Sequence, residues 1–319
     1  MGLRFPDLDQ VRRQLQGRLP VTRFAPSPTG YLHLGHVINA IYVWGLARAL
    51  DGEVILRLED HDRQRSRPEY EAAILEDLTW LGLHPDRGHP DAFAQSTRYR
   101  QSDNDPQYTE HLNALRTRTH LYACDCSRRR LSARATPNEN GELPYDGFCR
   151  ERGLAEDGAV GLRVQLPDEQ VRFVDLMVGE CVHRPAHQCG DLLVRDRNQQ
   201  WTYQFSVVQD DLDMGVNLII RGQDILSSTG RQLLLARRRD PAFNPVFVHH
   251  PLLMREDGRK LSKRFGDKDI HAEKLAGTDP EWILGQAAHQ LGLIPILRPL
   301  PAEEIPHLFR TRSPASPDQ

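Results

Sequence analysis

Two histidines with a glycine between them are the first residues in this sequence whose types and spacing could do chemistry. His33 and His36 stand three positions apart, where a Pro- and Gly-rich turn leads into an apolar segment. If that segment is a helix that follows a strand, its N-terminal N–H groups lie at the edge of an α/β sheet and attract an anion. Gly35 would let a ligand approach the backbone closely. The pattern predicts a phosphate site, and the alternative is a Pro-rich turn with two surface histidines.

The elements around this turn follow from hydrophobic periodicity. A strand is predicted over 21–25 and a helix over 37–50 with one apolar side. A second strand is predicted over 53–58, and the acidic turn 59–62 at its end would lie on the same sheet edge. The alternative for that turn is a polar loop with helix-capping carboxylates.

The later segments continue this pattern on both sides of an interruption. Helices are predicted over 66–81, 105–118, 227–239 and 281–291, and strands over 191–195, 216–220 and 246–253. The helix at 66–81 has capping-box spacing in Ser66 and Glu69. The pattern therefore predicts an α/β fold with a doubly wound parallel sheet.

The same pattern divides the chain into parts. The expected division is 1–20 as an extension, 21–118 and 191–265 as two halves of the main domain, 119–190 as an insertion, and 266–319 as a short helical and Pro-rich tail. We expect the extension to pack outside the core or fray, and the chain beyond 295 to be irregular.

The insertion contains a cluster of cysteines. Cys124 and Cys126 form one close pair, and Cys149 follows after a polar loop. Two ligand pairs separated by a loop can enclose a tetrahedral zinc ion, whereas the alternative is buried, unreactive cysteine. The spacing leaves the fourth ligand open, with Tyr145, Cys181, His183, His187 and Cys189 as candidates.

Composition narrows the class of protein. Charged residues make up 27% of the chain and hydrophobic residues 39%, with a net charge of −3, as in a soluble globular protein. The sequence has no apolar run of membrane-spanning length and no signal peptide, so a cytoplasmic location is expected. Five cysteines in that compartment favour metal binding over disulfides. Basic clusters at 128–130, 237–239 and 255–264 could hold a phosphate backbone, although such runs are often solvated helix faces.

Two distant motifs together resemble a known family. His33-Leu-Gly-His36 resembles the first signature of class I aminoacyl-tRNA synthetases, and Lys260-Leu-Ser-Lys-Arg264 resembles the second. The finer match is to the glutamyl branch, through Arg23-Phe-Ala-Pro-Ser-Pro-Thr-Gly, Arg57-Leu-Glu-Asp, Val-Val-Gln-Asp-Asp211 and Arg221-Gly-Gln-Asp. The resemblance runs from about 21 to 275 and implies a Rossmann-type catalytic domain with a zinc-containing insertion.

The resemblance also implies a role for each matching residue. The implied catalytic residues are His33, His36 and Lys263, and Gly35 and Lys260 join them in binding ATP with Mg²⁺. The implied glutamate-binding residues are Arg23, Phe24, Ala25, Pro26, Ser27, Glu59, Tyr203 and Arg221. The implied ligands of one structural Zn²⁺ per chain are Cys124, Cys126, Tyr145 and Cys149. Arginine suits the side-chain carboxylate of glutamate because its guanidinium binds bidentately, although each arginine could instead form a structural ion pair.

The chain also departs from the glutamyl enzymes. Only 55 residues follow Arg264, which is short for their helical anticodon-binding region. This resembles a truncated branch that activates glutamate without tRNA and joins it to the queuosine base in the anticodon loop of tRNA(Asp). His61 stands where the family usually has threonine, and the sequence offers no convincing general base for the transfer step.

The expected partners are therefore L-glutamate, ATP and queuosine-containing tRNA(Asp), with a monomeric chain and no membrane. One alternative is a truncated glutamyl- or glutaminyl-tRNA synthetase that charges a 3′ end. Others are a zinc-containing RNA-binding paralogue without catalysis, and a different nucleotidyltransferase with the same turn.

Overall fold

The computed structural model describes residues 5–252 and 269–310. Its strands are β1 Val21–Phe24, β2 Glu53–Leu56, β3 Leu121–Cys124, β4 Gly161–Val164, β5 Val171–Asp175, β6 Gly179–His183, β7 Leu192–Arg195, β8 Leu218–Gly222 and β9 Val246–His250. Its α-helices are α1 Leu8–Leu15, α2 Leu34–Ala49, α3 Pro68–Trp80, α4 Asp105–Arg116, α5 Arg128–Ser132, α6 Pro185–Gln188, α7 Tyr203–Asp213, α8 Thr229–Arg239, α9 Ile270–Leu275, α10 Pro280–Gln290 and α11 His307–Arg310. Short 3₁₀ turns lie at Pro90–Ala94, Gln101–Asp103, Gln223–Ser228 and Ala302–Glu304.

Parallel strands form the centre of the fold, as predicted. β1 pairs in parallel with β2, and β9 pairs in parallel with both β5 and β8. Asn217, just before β8, donates its backbone N–H to the Val21 carbonyl at 3.0 Å, so β8 and β1 lie side by side. β6 adds an antiparallel edge strand beside β5. The carboxyl ends of β1 and β8 therefore open at one edge of the molecule.

Helix α2 is the central helix of the hydrophobic core. It is apolar on nearly all sides. Strands lie along one side of it, and α10 and α11 pack against other parts of its surface. A helix that is apolar all round is buried, and residues 40–47 of α2 are all buried. This burial holds the N-terminus of α2, and with it the predicted histidine turn, in a fixed position.

The insertion builds a second, smaller sheet. β4 pairs in antiparallel fashion with both β3 and β7, and helices α4 and α7 cover its core. β5 and β6, which lie within 119–190, instead join the main sheet. Among the described residues, no helix has both the length and the apolar character needed to cross a membrane.

Two expectations about the ends of the chain are wrong for the residues that the structure describes. The segment before β1 contains α1, whose Val11 and Leu15 belong to the main core, because they lie four apart on one helix face. Near the other end, Phe309 packs against α2 at Gly45, where a Cβ would lie 2.1 Å from the phenylalanine ring. Leu300 is also fully buried, so the segment after 295 is not simply irregular.

The capping box predicted for α3 is also wrong. The helix begins at Pro68, and Arg67 is the N-cap residue without a side-chain cap. Ser66 instead donates its hydroxyl to the Asp62 carbonyl at 3.0 Å, because residues 62–66 form a separate turn.

Candidate active site

A cavity of about 490 Å³ opens where β1, β8 and the N-terminus of α2 meet. The predicted residues that line it are Arg23, Ala25, Pro26, Ser27, His33, His36, Glu59, Tyr203 and Arg221. The lining residues to which the sequence assigned no role are Thr29, Asn39, Ile220, Gly222, Asp224 and Ile225. Lys260 and Lys263 lie outside the described residues.

Phe24 is a predicted glutamate-binding residue whose side chain does not line the cavity. Its side chain is buried in the main core, and its ring centroid lies 5.4 Å from that of Trp44. Side chains alternate between the two faces of a strand, so Arg23 on the cavity side places Phe24 on the other side. The side chain of Phe24 therefore faces the core, and the part of this residue in glutamate binding stays a prediction.

The turn before α2 holds each histidine in one tautomer. His33 is the N-cap residue, and its Nδ1 accepts from the Gly35 N–H at 3.0 Å. His36 Nδ1 accepts from the His33 N–H at 3.1 Å. A neutral imidazole that accepts at Nδ1 carries its hydrogen on Nε2. Both rings therefore offer an N–H donor beside a helix N-terminus, which is a suitable environment for an anion.

The close approach of a ligand to the backbone of Gly35 stays a prediction, and the structure adds a packing reason for the glycine. A Cβ at this position would lie 2.8 Å from Cε1 of His33. The glycine is required because it leaves room for that ring.

Arg23 and Glu59 are held by a network of buried charges. Asp211 accepts from Arg23 Nε at 3.0 Å and from Arg57 Nη1 at 2.7 Å. Arg57 is fully buried and also donates to Glu59 at 3.0 Å. Burial acts to raise the pKa of Asp211, but the two guanidiniums lower it below its usual value. Beside it, burial raises the pKa of Asp210 to about 6, against the opposing effect of Arg57.

In the described part of the chain, Arg221 hydrogen-bonds only neutral groups. Its guanidinium donates to Gln232 Oε1 at 2.6 Å, to Thr229 Oγ1 at 2.8 Å and to His249 Nε2 at 2.9 Å. It is 4% exposed, and no carboxylate in the described residues forms an ion pair with it. Burial lowers the pKa of Arg221, yet an arginine remains charged in proteins. The cavity therefore contains a buried cation without a counter-ion from the described chain.

His249 accepts a hydrogen bond from Arg221 and is itself positioned by Asp175. His249 Nδ1 lies 2.6 Å from Asp175 Oδ2, and both side chains are fully buried. Burial lowers the pKa of His249 to about 4, so the imidazole is neutral, donates to Asp175 and accepts from Arg221. No local sequence signal points to this pair, since the two residues are 74 positions apart and meet only through the pairing of β5 with β9.

The predicted zinc ligands come together in the insertion. The sulfur atoms of Cys124, Cys126 and Cys149 all lie within 4.8 Å of one another. The Tyr145 hydroxyl lies 3.4 Å from the Cys124 sulfur and 3.9 Å from that of Cys126. The other candidate ligands have different neighbours: Cys181 lies on β6, His183 accepts from Gly230, His187 contacts Asp168 and Cys189 contacts the Pro185 carbonyl.

Each sulfur of this cluster also has an arginine beside it. Arg134 lies 3.3 Å from the Cys126 sulfur, Arg152 lies 3.3 Å from that of Cys149, and Arg163 lies 3.4 Å from that of Cys124. Thiolates, rather than thiols, are metal ligands. The surrounding guanidiniums would compensate the negative charge of a thiolate cluster.

The comparison with known proteins agrees with this geometry. The family profile described as tRNA synthetases class I (E and Q), catalytic domain, matches residues 21–293. A glutamyl-Q tRNA(Asp) synthetase from Symbiobacterium thermophilum is 40% identical, over 92% of this chain and 94% of that protein. Glutamate–tRNA ligase 1 from Acidithiobacillus ferrooxidans is also 40% identical, over 82% of this chain but only 55% of that protein.

A solved structure shows the same fold. The crystal structure of a glutamate tRNA ligase from Elizabethkingia meningosepticum, in complex with its amino acid, superposes with a TM-score of 0.71. Its identity is 27%, over 85% of this chain and 60% of that chain.

In this structure a helix N-terminus and a buried arginine meet in one cavity at the edge of a parallel α/β sheet. The chain belongs to the class I tRNA synthetases (E and Q), over a matched region that includes both signature motifs. Membership of this family, together with these relatives, supports glutamate activation and a tRNA-related ligation.

Proposed function

We propose that this protein activates L-glutamate with ATP and transfers it to the queuosine base in the anticodon loop of tRNA(Asp). The observation that carries the proposal is the buried Arg221, which has no ion-pair partner among the described residues. A buried charge is costly unless it is paired, so this cavity favours an anionic ligand. The side-chain carboxylate of glutamate supplies the charge and accepts two N–H groups at once.

The same cavity also has a group that suits the amino-acid backbone. Glu59 is 6% exposed and is oriented by Arg57, so it offers a carboxylate to the α-ammonium group. Arg23 donates its Nε–H to Asp211 at 3.0 Å. It therefore contributes positive charge to the cavity rather than a guanidinium that binds the substrate bidentately. Tyr203, Ala25 and Ser27 also line this cavity.

ATP is assigned to the turn before α2. The Nε2–H groups of His33 and His36 and the N-terminus of α2 would bind the phosphates, with Mg²⁺ as the accompanying ion. Catalysis of adenylate formation then depends on positioning and charge stabilisation. The backbone of Asp269 forms an isolated antiparallel β-bridge with that of His33. The described chain therefore resumes beside this turn, after the gap that contains Lys263. We assign Lys263 and Lys260 to phosphate binding on the basis of the second signature.

The three thiols and Tyr145 form a donor set that fits Zn²⁺. Zn–S bonds of about 2.3 Å in a tetrahedron place the ligand atoms about 3.8 Å apart. The contacts of Tyr145 with Cys124 and Cys126 span 3.4–3.9 Å, and the Cys126 and Cys149 sulfurs lie 3.6 Å apart. When bound, the ion would cross-link the end of β3 to the loop that carries Cys149.

Replacing Cys149 with serine is expected to reduce bound zinc from about one ion per chain to a small fraction of that, because a structural site needs all four ligands. Metal analysis of the purified protein measures this directly. Cys181→Ser is the matched control, since Cys181 is also a buried cysteine but lies in a different core cluster. Full zinc occupancy in Cys149→Ser would exclude the proposed ligand set.

The acceptor is assigned from the relatives. The relative that aligns with 94% of its own length is named as a glutamyl-Q tRNA(Asp) synthetase. The glutamate–tRNA ligases match at similar identity over about half of their length. Charging of a tRNA 3′ end is therefore the alternative that the experiments must distinguish.

Glutamate-dependent exchange of pyrophosphate into ATP is expected without any RNA, because the residues that we assign to glutamate all belong to the protein itself. Glutamine should support exchange with a kcat/KM at least ~100-fold lower, since its neutral amide leaves Arg221 without an anion. Exchange that requires added tRNA, or equal exchange with glutamine, would contradict the proposal.

A further inference from the structure

A second cavity, of about 370 Å³, lies beside the candidate glutamate site. His61, Gln101 and the turn 198–200 contribute to its polar lining. His61 follows Glu59 by two residues, and its ring centroid lies 6.0 Å from that of Tyr203, which lines the first cavity. His61 therefore lies at the boundary between the two cavities.

A chain of hydrogen bonds orients the amide that contacts this histidine. Gln101 is 1% exposed, and its Nε2 donates to Asp210 Oδ2 at 2.7 Å. Tyr108 donates its hydroxyl to the same carboxylate at 2.8 Å. Because the carboxylate accepts from the amide nitrogen, the amide oxygen of Gln101 must face the other way, towards His61 Nδ1 at 2.8 Å.

That orientation determines the tautomer of His61. An amide oxygen only accepts hydrogen bonds, so Nδ1 of His61 must carry the hydrogen. In the neutral ring Nε2 then has a free lone pair. This is the reverse of His33 and His36, whose Nδ1 atoms accept from backbone N–H groups. The site thus combines two imidazoles that donate at the phosphate end with one that can accept a proton.

We propose that Nε2 of His61 is the general base of the transfer step, and that the second cavity receives the nucleoside that carries the attacking hydroxyl. This rests on the proposed function. The hydroxyl oxygen forms an ester bond to the α-carbonyl carbon of glutamyl-adenylate, and the bond from that carbon to the phosphate oxygen breaks. The electron pair leaves with AMP, and the hydroxyl proton moves to Nε2 and then to water. His61 is half-buried, so its ring is accessible to a ligand.

The test separates transfer from activation. Preformed glutamyl-adenylate is mixed with saturating queuosine-containing tRNA(Asp), and single-turnover transfer is followed. His61→Asn keeps an N–H donor for Gln101 but has no basic nitrogen. Its transfer rate should fall roughly 10²–10⁴-fold, the usual contribution of a general base, while glutamate-dependent pyrophosphate exchange stays within about twofold. The matched control is His120→Asn, because exposed His120 also contacts a glutamine oxygen through Nδ1, at 3.2 Å.

Each other outcome contradicts the proposal. Transfer by His61→Asn at close to the wild-type rate, or recovery of that rate at higher RNA concentration, would show that His61 is not the base. Parallel loss of exchange and transfer would assign His61 a structural role. A wild-type protein that exchanges pyrophosphate but transfers no glutamate to this RNA would overturn the proposed acceptor, and this proposal with it.

Discussion

Replacing Arg221 with leucine is expected to abolish most glutamate-dependent pyrophosphate exchange. The guanidinium is buried and hydrogen-bonds only neutral groups in the described chain, so a glutamate carboxylate would be its ion-pair partner. Breaking a buried charge pair costs about 2–5 kcal/mol, which corresponds to a roughly 30- to 5,000-fold loss in kcat/KM for glutamate. The loss should appear with glutamate as the varied substrate, because Arg221 is assigned to glutamate and the histidine turn to ATP.

Two further variants sharpen this prediction. Arg221→Lys keeps the charge but loses the planar fork, so an intermediate loss is expected. Arg172→Leu is the control, since Arg172 is an exposed arginine on β5 of the same sheet and lines neither cavity. A kcat/KM for glutamate in Arg221→Leu that is within tenfold of the wild-type value would contradict the assignment of Arg221 to the substrate carboxylate.

Replacing Asp211 with asparagine is expected to cause a large loss of stability. Asp211 compensates Arg23 and Arg57, and all three side chains are at most 5% exposed. Removing one partner of a buried ion pair typically costs about 3–5 kcal/mol, because it leaves an unpaired charge in the core. Chemical denaturation measures the change in the free energy of unfolding. Asp9→Asn is the control, since Asp9 and its partner Arg12 are 72% and 54% exposed and such a pair contributes about 1 kcal/mol or less.

The stabilisation from Asp211 should depend on pH in one direction. Burial acts to raise the pKa of this carboxylate, but Arg23 and Arg57 bring it below the ordinary value of 3.8. A group with a lowered pKa in the folded state contributes its stability above the unfolded pKa and loses it as the pH falls through the folded pKa. The difference between wild type and Asp211→Asn should therefore be complete at neutral pH and shrink below about pH 4. A difference that does not change with pH would contradict this charge assignment.

Much of the fold was predictable because the signals were local. Hydrophobic periodicity located β1, α2 and β2 to within a few residues, since each is a short run with a clear apolar pattern. The ends of the chain were less predictable. α1 has only two core residues, and the burial of Phe309 depends on the space that Gly45 leaves in α2. Neither contact can be inferred from the neighbouring sequence.

The candidate site likewise combines residues that the sequence predicts with residues that it does not. Arg23, His33, His36 and Arg221 belong to contiguous motifs, and the structure brings all four to one cavity. The supporting residues lie far apart in sequence, as the Asp175–His249 pair shows. The Arg57–Asp211 bond also joins residues 154 positions apart, although both stand in motifs that the sequence did single out. Such partners are set by strand pairing and helix packing, which a single sequence does not specify.

Transfer of labelled glutamate to defined tRNAs shows whether queuosine or a tRNA 3′ end is the acceptor. The protein is incubated with ATP, labelled glutamate and one of three acceptors: tRNA(Asp) with queuosine, the same tRNA without queuosine, or tRNA(Glu). We expect label on tRNA(Asp) only when queuosine is present. Equal labelling of the queuosine-free tRNA(Asp), or labelling of tRNA(Glu) instead, would contradict this expectation.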